Sequence, residues 1–177
     1  MFRPSLPLQQ INRWDVELCV FCNRQSRYLS VRNLFRLASR LGDGMFWYTL
    51  MAVLLLRYQG AALHAVLHML AVGLSCTAVY KLVKHKTLRP RPFNVYPSIV
   101  CMGKTLDQFS FPSGHTLHAV GFSIIAAYYF PALVWLVLPF SLLVALSRPV
   151  LGLHYPSDVL AGALIGTVIA SCSLFLI

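Results

Sequence analysis

Residues 116–146 read TLHAVGFSIIAAYYFPALVWLVLPFSLLVAL, a run without one charged side chain. A helix needs about 20 apolar residues to cross the hydrocarbon core of a bilayer, with a lower limit of about 17. At 31 residues the run is longer than the roughly 25 of a single crossing, and Pro131 divides it into two segments at a point where a helix does not continue. Residues 116–130 and 132–146 are the third and fourth of five such segments; the others are 45–58, 61–82 and 159–177. The first is short and borrows an opening turn from residues 40–44. Pro139 lies inside the fourth, where a proline kinks a helix. The fold class this implies is all-α: an integral membrane helical bundle of about five spanning segments, forming a single domain over residues 1–177.

Composition agrees. Of 177 residues, 58% are hydrophobic and 11% charged, and the mean hydropathy is +0.67. Soluble domains are nearer half apolar and a quarter charged. Fifteen Lys and Arg face five Asp and Glu, for a net charge of +10. Such an excess suits nucleic acid, an anionic membrane surface or an acidic substrate. Nucleic acid is excluded, because the basic residues lie between apolar runs and form no solvated basic stripe.

Residues 1–43 are amphipathic and do not span. Arg13, Arg24, Arg27, Arg32, Arg36 and Arg40 interrupt every apolar stretch, while Trp14, Leu18, Phe21, Leu34, Leu37 and Leu41 recur at helical spacing. This pattern predicts two short helices at the headgroup level, broken between Asn23 and Ser30, with Gly42-Asp43-Gly44 as a turn. The first 40 residues contain no apolar core of a secretory leader, so the spanning segments are expected to direct insertion. Cys19 and Cys22 form a lone CxxC with no second ligand pair, which reads as one packed helical face.

The connections differ in polarity. Tyr58-Gln59-Gly60 and Phe130-Pro131 are tight and uncharged, whereas residues 83–115 and 147–158 carry most of the remaining charge. Because a chain alternates sides at each crossing, these two loops and Gly42–Gly44 must meet at one membrane interface.

The polar residues there suit an anion site with acid–base groups. Lys84, Arg91 and Arg148 are cations; Arg offers a planar fork to phosphate oxygens and Lys a point charge. Ser113-Gly114 opens an apolar helix, whose free N–H groups attract anions, and His115 stands beside them. His154 and Asp158 are one turn apart at the start of the last helix, with Pro156 suited to its first turn. A carboxylate there can accept from Nδ1–H of His154 and leave Nε2 free to attack. Two histidines can divide the work of nucleophile and general acid. Asp43, Asp107 and Asp158 are scattered, so the acidic cluster of a two-metal site is missing and metal-free phosphoryl transfer is favoured.

Lys84, six residues, Arg91-Pro92; Pro112-Ser113-Gly114-His115; and Ser147-Arg148, five residues, His154, three residues, Asp158 together resemble the three-part signature of the type 2 phosphatidic acid phosphatase superfamily. Every specified position matches over residues 84–158. Asp15, Asn23, Ser39 and Gly42-Asp43-Gly44 loosely resemble the amino-terminal part of short bacterial members. The resemblance implies that His154 attacks phosphorus to form a phosphohistidine, Asp158 orients it, and His115 protonates the leaving oxygen. It implies that Lys84, Arg91, Ser113, Gly114 and Arg148 hold the phosphate, with no metal and no cofactor.

Read singly, Lys or Arg beside an apolar helix is an interfacial anchor, which accounts for Lys81, Lys86 and Lys104. His64 lies about 30 Å from Lys84 at 1.5 Å per helical residue, across the bilayer, and His64 and His68 read as structural. His118, one turn beyond His115, is a candidate for the pocket wall. Arg89 is a candidate second phosphate contact, or a residue that shapes the loop.

The expected function is thus a membrane lipid phosphatase acting on polyprenyl diphosphate, phosphatidylglycerol phosphate, phosphatidic acid or lipid A 1-phosphate. The alternatives are a lipid phosphotransferase and a non-enzymatic lipid-binding protein on the same scaffold. The expected partners are the bilayer and the lipid phosphate, and the expected location is the bacterial inner membrane. Two rules conflict on orientation: the positive-inside rule puts the charged face in the cytoplasm, and the resemblance puts it in the periplasm.

Overall fold

The computed structural model describes residues 6–105 and 107–176, with side chains from residue 12 onward. The first five residues of the amphipathic segment and Ile177 at the end of the last apolar segment lie outside the described residues. Eight helices follow in order among them: α1 (Leu6–Arg24), α2 (Leu29–Arg40), α3 (Phe46–Tyr58), α4 (Gly60–Thr87), α5 (Pro92–Val95), α6 (Gly114–Tyr129), α7 (Val134–Val150) and α8 (Pro156–Leu174). Among the described residues the only β pairing is a single bridge between Pro90 and Phe109, so the fold is all-α as expected.

Among the described residues, three helical stretches are long and apolar enough to cross a membrane: Gly60–Thr87, Pro131–Val150 and Pro156–Leu174. The other two apolar segments also form helices, α3 of 13 residues and α6 of 16. The protein is membrane-associated. Two helices outrun the apolar segments. α4 continues to Thr87 and carries Lys84, while α7 continues through Pro139 to Val150 and carries Ser147 and Arg148. Hydropathy placed those polar residues in loops. They remain helical because each is buried at the site, Lys84 at 6% exposure and Arg148 at 1%.

α1 and α2 form as expected, separated by one 3₁₀ turn at Gln25–Arg27. Their exposed faces carry Trp14, Phe21 and Leu37, as an interfacial helix pair requires. Cys19 is buried, and burial pushes its thiol up to about 12. A π-type turn at Leu41–Met45 joins α2 to α3, and Gly44 sits at φ 130° inside it. That left-handed conformation favours glycine.

The core joins α3, α4, α6, α7 and α8 through Trp47, Met69, Val72, Leu117, Ile125, Val137 and Ala170. α6 and α8 approach closely because Gly162 and Gly166 face α6. A Cβ at Gly162 would stand 2.5 Å from the Ser113 carbonyl oxygen, and one at Gly166 would stand 2.4 Å from that of Leu117. Small residues permit such backbone contact where lipid supplies no hydrophobic driving force between helices. The contact sets the head of α6, and so Ser113–His115, against the start of α8.

Away from this face, His68 bonds the Tyr129 hydroxyl at 3.1 Å and the Ser173 hydroxyl at 2.9 Å. That is the structural role expected of it.

Candidate active site

The expected gathering of residues 83–115 and 147–158 at one end of the bundle is observed. A cavity of about 440 Å³ opens there, and its polar end is lined by Asp43, Lys84, Arg91, Asp107, Gly114, His115, Arg148 and His154. Its wall continues along α3, α4 and α6 through Thr77, Tyr80 and His118 to Trp47, Tyr48, Leu70, Leu74 and Phe122. His118 thus lines the pocket, as its place one turn beyond His115 suggested. The cavity joins a cationic end to an apolar trough, which matches an amphiphile with an anionic head.

His154 ends the loop between α7 and α8 and is 1% exposed. Its Nδ1 lies 2.6 Å from the Ser110 carbonyl oxygen. A carbonyl only accepts, so Nδ1 carries the proton. Nε2 keeps its lone pair and lies 3.4 Å from Nη1 of Arg91, a donor. Burial, followed by the charges of Arg148, Arg91 and Lys84, holds the imidazole well below its ordinary range, so it stays neutral. A neutral His with Nε2 free is the nucleophilic form.

Asp158 departs from its expected role. Its Oδ2 is 3.6 Å from His154 Nδ1, beyond hydrogen-bond distance. Instead Oδ2 accepts from the Tyr155 amide at 2.9 Å and Oδ1 from Arg89 at 2.6 Å. Both atoms are engaged in capping α8 and in holding the loop. The orienting acceptor is the carbonyl of Ser110, a residue with no signature of its own.

Arg89 does not reach the cavity. Its guanidinium bonds Asp158, Asp15 at 2.6 Å and Ser157 at 2.7 Å, and stacks 4.0 Å over the Tyr155 ring. A second phosphate contact from Arg89 is therefore not made. Arg89-Pro90 shapes the loop, and Asp15 ties α1 to it.

The cations differ in how they are held. Lys84 Nζ donates to Asp107 at 2.5 Å, and Arg91 donates to the same carboxylate at 2.9 Å and to the Leu153 carbonyl at 2.8 Å. Partial burial opposes a charge on Asp107, but Lys84 and Arg91 outweigh it and keep the carboxyl below its usual range. Arg148 donates to the Ser39 hydroxyl at 2.6 Å, while its buried Nε–H has no partner. A buried unpaired charged donor is costly unless an anion completes it. Ser113 sits at the head of α6 with its hydroxyl 3.0 Å from that of Thr116. Gly114 lines the cavity and Ser113 does not, because the N-terminal residue turns its side chain back over the first turn of the helix. His115 lines the cavity, and its Nε2 contacts Oδ1 of Asp43.

The loosely matched amino-terminal residues all land on this face. Besides Asp15, Ser39 and Asp43, Asn23 bonds the Val100 and Val150 carbonyls at 3.0 Å each. Asp107 and Ser110 were missed. Acidic scarcity was the available signal for Asp107: only five acidic residues balance fifteen basic ones, so each aspartate is much in demand as a counter-ion.

Taken together, fold and site define a helical membrane protein with a neutral histidine facing a cluster of cations. The family model for the PAP2 superfamily matches residues 61–176, and the chain belongs to that superfamily. Decaprenylphosphoryl-5-phosphoribose phosphatase of Mycobacterium tuberculosis is 36% identical over 96 residues, covering 53% of this chain and 51% of that protein. Undecaprenyl-diphosphatase of Sulfolobus acidocaldarius is 29% identical over 166 residues, covering 90% and 77%. The chain spans about half or less of the length of the first curated relatives it matches. The crystal structure of Aquifex aeolicus LpxE superposes with a TM-score of 0.78 at 24% identity, covering 90% of this chain and 93% of that one. The helical bundle is therefore a known fold.

Proposed function

We propose that the protein is a membrane lipid phosphatase that releases phosphate through a phosphohistidine on His154. The observation that carries this reading is the buried His154. It is neutral, its Nε2 faces Arg91, and it shares one cavity with Lys84, Arg148 and His115. The Nε2 lone pair attacks phosphorus, the bond to the leaving oxygen breaks, and His115 supplies that oxygen with a proton. Lys84, Arg91 and Arg148, with the free N–H groups at the head of α6, stabilise the charge on the transferring group. Water then attacks phosphorus, and the N–P pair returns to His154.

No metal or cofactor is needed for this sequence of steps. The carboxylates that line the cavity already have partners: Lys84 and Arg91 for Asp107, and His115 for Asp43. The apolar trough favours a lipid substrate. Polyprenyl-linked phosphate stands first among the candidates, because two relatives are named for decaprenyl and undecaprenyl substrates. Phosphatidylglycerol phosphate, phosphatidic acid and lipid A 1-phosphate complete the panel.

We propose the periplasmic face of a bacterial inner membrane for the site, following the resemblance to bacterial members of the superfamily. Arg89, Arg91, Lys84 and Arg148 are held in the site by protein partners, so they weaken the positive-inside argument for the cytoplasm.

The test is phosphate release by purified protein from the four lipids, with and without a chelator. Wild type is expected to act on at least one lipid in both conditions, and His154→Ala to lose at least about 10³-fold, as removal of a nucleophile does. Full activity in His154→Ala would overturn the mechanism, and loss of activity to the chelator would overturn its metal-free form. Transfer of label to a second lipid in place of water would identify a phosphotransferase.

A further inference from the structure

Of the four aspartates in the site region, Asp43 is the one that no Lys or Arg side chain holds among the described residues. Its Oδ1 meets Nε2 of His115 instead. A carboxylate only accepts, so that nitrogen carries a proton. The contact joins the α2–α3 turn to the head of α6, 72 residues apart, and neither element needs it to be helical. Gly44, at φ 130°, turns the chain beside it, and Asp43 and His115 both line the cavity.

The charges around His115 explain why a carboxylate belongs there. Arg148 faces it across the cavity, with Lys84 and Arg91 at the same polar end and His118 one turn along α6. All of these disfavour a second proton on the imidazole, yet a proton donor to the leaving oxygen must carry that proton before reaction. An ionised Asp43 bonded to the ring opposes them. A triad aspartate acts on its histidine in the same way, fixing the ring and stabilising the imidazolium without taking the proton.

We infer that Asp43 is a positioning residue that orients His115 and stabilises its imidazolium when it forms as the acid for the leaving group. The inference rests on the phosphatase reading above. In the first half-reaction the His154 Nε2–P bond forms, the P–O bond breaks, and the leaving oxygen takes its proton from His115. In the second, water loses a proton to His115 as it attacks phosphorus and the N–P bond breaks. Asp43 stays ionised throughout.

Two esters separate this role from a merely structural one. 4-Nitrophenyl phosphate releases a phenolate that leaves without protonation, while phosphatidic acid must expel an alkoxide. Asp43→Asn is expected to lower the first-turnover rate of leaving-group release from phosphatidic acid about 100-fold, the lower range of general-acid contributions. It should lower the first-turnover release of 4-nitrophenol, which precedes the water step, far less, with KM for both little changed. Asp43→Glu, which keeps the carboxylate, should recover much of the loss, and His115→Ala should show the same split between esters. If Asp43→Asn alone fails to fold, Asp43→Ser carries the same comparison. An equal loss on both esters, with the His115→Ala split intact, would overturn the role of Asp43 and leave the phosphatase reading standing. Wild type inert towards all four lipids would overturn the phosphatase reading and the inference with it, and His115→Ala without the split would overturn His115 as the acid and so the role of Asp43.

Discussion

At the scale of the residue, His154 shows how burial holds an imidazole neutral, the form the proposed nucleophile requires. Its ring is removed from water and set among Arg148, Arg91 and Lys84, which depresses its proton affinity well below the usual value. The unfolded chain therefore binds more protons at this residue than the native one below about pH 6.5, and native stability falls as pH drops through that range. The ¹⁵N shifts of labelled histidine in detergent-solubilised protein should show His154 neutral, with Nδ1 protonated, at pH 6. A His154 signal that titrates at its ordinary value would contradict the site geometry. The type of this residue was legible from its spacing to Arg148 and Asp158. Its hydrogen-bond partner was not, since the Ser110 carbonyl belongs to a backbone atom that any residue could present.

At the scale of the element, the helices follow hydropathy, and their ends do not. Lys84 and Arg148 read as loop residues because an isolated charge terminates an apolar segment. In the bundle each charge has partners that permit one more helical turn. The α6–α8 contact gives the sharpest test. Gly166→Ala would place a Cβ against the Leu117 carbonyl, where the separation is 2.4 Å. Alanine gains up to about 1 kcal/mol of helix propensity over glycine, but overpacking against backbone costs about 1–3 kcal/mol, and backbone cannot turn aside as a side chain can. The variant should show a lower thermal unfolding midpoint in detergent and reduced activity, because the head of α6 carries His115. A midpoint at or above wild type would mean that the helices have slack.

At the scale of the whole molecule, the polar residues collect at one end, and Cys101 is an exposed cysteine on that end. An impermeant thiol reagent applied to intact cells should label it and fail with Cys101→Ser, as a periplasmic site requires. Labelling only after lysis would place the site in the cytoplasm. What the amino-acid order determined by itself was the membrane class, the segments that become helices, the meeting of two polar loops at one interface, and the three-part signature of the superfamily. All of these follow from local hydropathy, from strict alternation of crossings and from short spacings along the chain. Only the tertiary structure decided who pairs with whom. Ser110 takes Nδ1 of His154 from 44 residues away, Asp43 takes His115 from 72, and Arg89 leaves the phosphate site for Asp15, 74 residues away, and for Asp158. Partner choice at such separations is set by how helices pack and by which buried charges lack an alternative, and neither is a property of spacing along the chain.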